Sequence, residues 1–140
     1  MKDEGFERRA SRPHDSLQVY RLAHDMALRV HAISLKLPKF ELYEEASQVR
    51  RSSKSASSQI VEGHALRRYK NDCIRYLARA YGSAEETVEH LRFLLESGSA
   101  KAVAQECQEL VDGYLTLCRK LFNYMRSVEK QHDPNPPDQG

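Results

Sequence analysis

The 140-residue chain contains no tryptophan, and none of its apolar runs approaches the ~18 residues a membrane-spanning helix needs. Its first twelve residues are charged throughout, which leaves no apolar core for a secretory leader. Cysteine is scarce. Cys73, Cys107 and Cys118 form no CxxC pair, and an odd count at buried helical phases predicts reduced thiols in a cytoplasm. Signatures of catalysis are missing too: no glycine-rich phosphate loop, and no serine placed with histidine and acid as a triad. No segment sustains period-two alternation, so strands are not expected. The absences point to a helical, non-enzymatic protein without a cofactor.

What the chain has in abundance is four-three periodicity. Val19, Ala23, Met26, Val30, Ile33 and Leu37 mark a first helix that follows Asp15-Ser16 and stops before Pro38. A second helix opens on Glu41, Glu44 and Glu45, which suit the positive end of its dipole, and ends with Glu62-Gly63 as its cap. Its seam is Leu42, Ala46, Val49, Ser53, Ala56, Ile60 and Gly63. From Ser53 onward that seam is small, so a neighbour must approach closely or set large side chains against it. A third helix offers Ile74, Leu77, Tyr81, Ala84, Val88, Leu91 and Leu95, widened by Cys73, Ala80, Thr87 and Leu94. Gly82 lies inside it at a cost of roughly 1 kcal/mol, which predicts a close crossing near Gly82-Ser83. Gly98 ends this helix and Ser99 can cap the next. The fourth carries Val103, Cys107, Leu110, Tyr114, Leu117, Leu121 and Tyr124, with Val111, Cys118, Phe122 and Met125 beside them. Four such helices on short turns predict an all-α, up-down-up-down antiparallel bundle over residues 16–129. A flexible arm (1–15) should precede it and a disordered, proline-rich tail (130–140) should follow.

The net charge of +2 conceals an asymmetry, since Arg50 to Arg79 hold eight basic residues and two acidic ones. Arg50, Arg51 and Lys54 run down helix two, Arg67, Arg68 and Lys70 occupy the turn, and Arg75 and Arg79 face outward from helix three. Tyr69 and Tyr76 stand among them, placed to stack on exposed bases. Such a strip fits the phosphates of RNA or DNA. The competing reading is a solvated face, or a set of partners for Glu85, Glu86, Glu89, Glu96, Glu106, Glu109 and Asp112 of a neighbouring subunit. On helix one, the side away from the core reads Leu17, Arg21, His24, Leu28, His31 and Leu35. Leucines and histidines at seven-residue spacing there look like half of an oligomer interface. His24 and His31 sit ~10 Å apart along the axis, too far to share one metal ion. No Glu-x-x-His pair lies on a core seam, so no metal is expected.

The order of motifs resembles a known family. Leu17-Gln18-Val19-Tyr20-Arg21-Leu22-Ala23 is similar to its opening, which usually has tryptophan at the place of Tyr20. Gln48-Val49-Arg50-Arg51 with Ser55 and Ile60-Val61-Glu62-Gly63 is similar to its second-helix signature, and Leu77–Glu86 to its third. Together these resemble the four-helix bundle proteins encoded by intervening sequences in bacterial 23S ribosomal RNA genes. Ser57 and Gln59 stand where that family often has proline and asparagine. The resemblance implies a homo-oligomer, typically a pentameric ring, and no established enzymatic activity. Related bundles that accompany retroelement reverse transcriptases bind nucleic acid. The expected function is therefore a cytoplasmic interaction protein, with RNA or DNA as its ligand through the basic strip. The alternative is an adaptor oligomer that binds a protein partner and no nucleic acid.

Overall fold

The computed structural model describes residues 17–131, so the expected arm and all but the start of the expected tail fall outside it. Four helices, α1 (Gln18–Ser34), α2 (Glu45–Ala65), α3 (Lys70–Glu96) and α4 (Ala104–Gln131), are joined with 3₁₀ turns at Lys39–Glu41 and Lys101–Val103. No strand occurs among the described residues. Each helix packs on its neighbour in sequence, and α4 closes the cycle against α1, giving a four-helix bundle. Hydrogen bonds of α2 with α3 and of α1 with α4 pair rising positions with falling ones. Glu45, Ser52 and Gln59 of α2 meet His90, Thr87 and Ser83 of α3. Gln18 and Arg29 of α1 meet Lys120 and Glu109 of α4.

The core follows the seams. Val19, Ala23, Met26, Val30 and Ile33 are buried on α1, and Val49, Ala56 and Ile60 on α2. On α3 the deepest side chains are shifted toward Cys73, Ala80, Thr87 and Leu94, with Ile74, Tyr81 and Leu95 only partly covered. The small seam of α2 is filled from two sides. An added Cβ on Gly63 would stand 3.1 Å from Leu77 Cδ2, so the α2–α3 approach depends on glycine there. From α4, fully buried Tyr114 points its hydroxyl toward Ser53. Ser52 Oγ and Thr87 Oγ1, 2.8 Å apart, satisfy each other inside the contact.

Several local expectations need correcting. Gly63 does not end a helix: α2 continues to Ala65, and Gly98 (φ 86°) is the positive-φ glycine, terminating α3. Gly82 has nothing within 4 Å of an added Cβ, so no close crossing occurs there; the tight site is Gly113, where an added Cβ would stand 2.5 Å from Met26 Sδ. Helix α1 stops three residues before Leu37. Its last N–H groups turn to 3₁₀ bonds, Leu35 to Ala32 and Lys36 to Ile33, while Ser34 Oγ donates to the His31 carbonyl. Leu42 is exposed and Glu41 is buried, because α2 begins only at Glu45 and a 3₁₀ turn sets the preceding register. Ser99 caps no helix; its hydroxyl donates to Glu41 Oε2 at 2.6 Å. Phe122, placed beside the core seam, is about half exposed.

Candidate nucleic-acid interface

The eight basic residues of the sequence strip do not form one line. Arg50 is half-buried and turned toward α1, with Nη1 donating to Ser34 Oγ (3.0 Å) and Nη2 to the Leu42 carbonyl (3.5 Å). It is a tie between elements. Lys54 also turns toward α1, lining a groove with Tyr20, His24, Leu28 and His31. Arg51 alone stays on the outer face of α2, bonded to Ser47 Oγ at 3.1 Å. From Arg51 to Arg67 is roughly 24 Å of helix, which isolates it from the rest.

The remaining five gather at one end of the bundle. Arg67 Nη1 donates to the His64 carbonyl, closing the α2 terminus (3.0 Å). The Arg68 guanidinium lies 5.9 Å from the exposed Tyr69 ring, and both line a shallow groove with Lys70 and Asp72. One turn along α3, Arg75 and Arg79 sit over the ring of Tyr76 at 5.9 and 5.1 Å, a distance at which the cations feel the ring's negative face. Arg75 is also held by Asp72. Beneath Arg79, Gln59 fastens α2 to α3. With its amide nitrogen toward α3 it donates to Ser83 Oγ (2.8 Å) and to the Arg79 carbonyl (3.0 Å). Gln59, one of the two positions that depart from the family pattern, is thus the brace under Arg79.

The fold adds cations that the strip missed. Ser83 is bonded to Gln59 and Lys120 to Gln18, so residues 17–25, 56–83 and 117–131 are grouped as one half of the bundle. That half carries ten Lys or Arg against four Asp or Glu. The other half, 26–55 and 84–116, carries eight against ten. Arg119, Lys120, Arg126 and Lys130 of α4 supply the difference. The signal was present as a run of basic residues late in α4, but only the folding of α4 back along α1 and α3 brings it to the α2–α3 turn. Arg126 lies over Phe122 at 5.9 Å, and Lys120 Nζ donates to Gln18 Oε1 at 3.2 Å.

The helix-one interface residues divide as well. His24, Leu28 and His31 line the α1–α2 groove, and Leu35 is exposed farther along α1. Tyr20 Oη approaches His24 Nδ1 at 3.3 Å. Leu17 does not join them: it packs on the core beside Lys120 and Tyr124, on the α4 side. His90 stands between two carboxylates, with Nδ1 2.7 Å from Glu45 and Nε2 3.3 Å from Glu86.

Burial disfavours the thiolate form of the three cysteines. Burial pushes the Cys73 thiol up from its ordinary value, Cys107 to about 11 and Cys118 to about 12, the last with help from Glu85. All three are free and buried. No cluster of metal-ligating side chains occurs among the described residues. No helix among them is long and apolar enough to cross a membrane. What the basic end offers is phosphate neutralisation with two tyrosine faces, a chemistry of binding.

Comparison with curated proteins gives no match. The sequence pattern of the family described as "23S rRNA-intervening sequence protein" matches residues 15–123, spanning all the motifs named above and three of the four helices entirely. The chain belongs to the 23S rRNA-intervening sequence protein family.

Proposed function

We propose that this chain is a non-enzymatic, cytoplasmic, homo-oligomeric bundle of up-down-up-down topology that binds RNA or DNA through its basic end. The carrying observation is the gathering of Arg67, Arg68, Lys70, Arg75 and Arg79 around exposed Tyr69 and half-buried Tyr76 at the α2–α3 turn. Opposed pairing of α2 with α3 and of α1 with α4 supports the topology, and three unpaired buried thiols fit a reducing compartment. The family's connection with ribosomal RNA genes is in keeping with an RNA-related role. Recognition is of backbone charge, since no helix presents a base-reading pattern.

Anisotropy titrations of labelled structured RNA and duplex DNA across a salt series test this reading. Five phosphate contacts on duplex DNA give a log–log slope of about −4.5, or roughly 500-fold weaker binding between 50 and 200 mM salt. The variant Arg67→Glu/Arg68→Glu/Arg75→Glu should lose binding while keeping the oligomeric mass of the wild type. Absence of binding by the wild type at low salt defeats the reading. It would favour instead a protein-binding adaptor, for which exposed Phe40, Leu42 and Tyr43 at the opposite end supply an apolar surface.

A further inference from the structure

The groove at the basic end has a volume of about 560 Å³ and is lined by Arg68, Tyr69, Lys70, Asn71 and Asp72. Two of its features suit bases better than phosphates. One is aromatic. The Tyr69 ring is 54% exposed, with the Arg68 guanidinium over it. Tyr76 follows seven residues later, and seven helical residues advance close to two full turns, or about 10 Å. The two rings therefore stand on nearly the same side of α3, the second flanked by Arg75 and Arg79. Each ring has beside it the cations that would hold the phosphates of a base laid on its face. The other feature is a carboxylate. The Asp72 side chain is 42% exposed in the groove, and its Oδ1 accepts a hydrogen bond from Arg75. A negative group there repels phosphate, and so works against any ligand that presents its backbone alone.

A duplex turns its phosphates outward, keeps its bases stacked and uses up their Watson–Crick edges in pairing. An unpaired strand offers flat faces to Tyr69 and Tyr76, and every base then has a free N–H on its Watson–Crick edge. Asp72 and the carbonyl of the Asn71 amide can accept those N–H groups. Asp72 thus opposes the duplex and serves the single strand. We propose that the ligand of the basic end is an unpaired strand, free or as the loop of a folded nucleic acid, with bases stacked on Tyr69 and Tyr76 and their edges toward Asp72 and Asn71. This proposal deepens the nucleic-acid reading above and rests on it. Arg68, Lys70, Arg75 and Arg79 hold the intervening phosphates. Stacking takes any base, and every base can donate to Asp72, so the site selects unpaired strand and not sequence.

Removing bases while keeping phosphates gives the test. Labelled oligothymidylate and oligouridylate of about twelve nucleotides are titrated by fluorescence anisotropy at about 50 mM salt, beside a duplex of equal length. A further oligothymidylate carries abasic sites at alternate positions. The intact single strands should bind at least tenfold tighter than the duplex and the abasic strand, and comparing the two tells whether RNA or DNA is the better source of the unpaired strand. Tyr69→Ala should weaken single-strand binding at least fivefold, leave the abasic strand unaffected, and be rescued by Tyr69→Phe. Asp72→Ala should narrow the preference for single strand over duplex. The abasic comparison uses the wild type, so it decides the matter even if a variant misfolds. A duplex or an abasic strand bound as tightly as the intact single strand overturns the inference and leaves the nucleic-acid reading standing. Failure of every oligonucleotide to bind defeats both.

Discussion

Two glycines on facing stretches of α2 and α3 behave oppositely because of what surrounds them. Gly82 is exposed within α3 and an added Cβ meets nothing, so only the backbone entropy of glycine counts against it. Gly82→Ala should raise the free energy of unfolding by about 1 kcal/mol, read as a higher urea midpoint with an unchanged m-value. Gly63 is buried, with Leu77 Cγ at 3.2 Å and the Cys73 carbonyl at 3.4 Å from an added Cβ. The branched side chain of Gly63→Val has no free volume there, and should destabilise by about 2 kcal/mol or more. A Gly82→Ala protein less stable than the parent would mean that α3 is crossed closely there after all. The cysteines give a pH signature. In the unfolded chain their thiols ionise near the ordinary value of 9.0, whereas burial delays Cys107 to about 11 and Cys118 to about 12. Below pH 9 both states hold the proton and the full stability is present. As pH climbs from 9 toward 11 and 12, the unfolded state alone releases protons, so stability falls by about 1 kcal/mol per thiol at pH 10. Urea unfolding at pH 8 and pH 10 should show this drop, and with Cys73 also raised by burial it should shrink by about a third in Cys118→Ala.

The elements were legible wherever a four-three pattern persisted through a helix, and illegible where a helix began. Val49, Ala56 and Ile60 fall in the core as their spacing requires, but the same pattern extended back to Leu42 fails. A 3₁₀ turn advances about 120° per residue where an α-helix advances 100°, and a loop has no fixed advance at all. Nor does any local pattern reveal that a carboxylate at Glu41 is buried among two loops. Its Oε1 accepts the backbone N–H of Glu45 at 3.3 Å, satisfying a free donor in the first turn of α2, while its Oε2 accepts Ser99 Oγ from the α3–α4 connection. One side chain thus serves as the cap of α2 and as the clasp between both loops at that end. Glu41→Ala removes both functions and should cost about 2 kcal/mol. In a double-mutant cycle with Ser99→Ala the two losses should couple by 0.5 kcal/mol or more, since the pair is in direct contact. Independent, additive losses would show that the clasp contributes nothing beyond the cap.

For the whole molecule, the charge of the site was visible in the chain but its shape was not. Reading outward from α2 and α3 finds eight cations between Arg50 and Arg79; it cannot find that Arg50 and Lys54 turn toward α1, because their angular position identifies a side only once the neighbours are known. It also passes over α4, whose late cations reach the same end only by the return of the chain. The two descriptions, a strip along α2 or a basic end, differ in what they expect of single residues. If phosphates track over the end, Arg68→Ala and Lys130→Ala should each reduce the magnitude of the salt slope by about one, although they lie 62 residues apart in sequence. Arg51→Ala should leave the slope unchanged, since that guanidinium stands some four turns away beside the acidic half. All three side chains are exposed, so none of these changes should disturb the fold. A slope that drops for Arg51 and not for Lys130 would restore the strip along α2. It would also require the nucleic acid to lie along the bundle, past Glu86 and Glu89, where repulsion from those carboxylates opposes it.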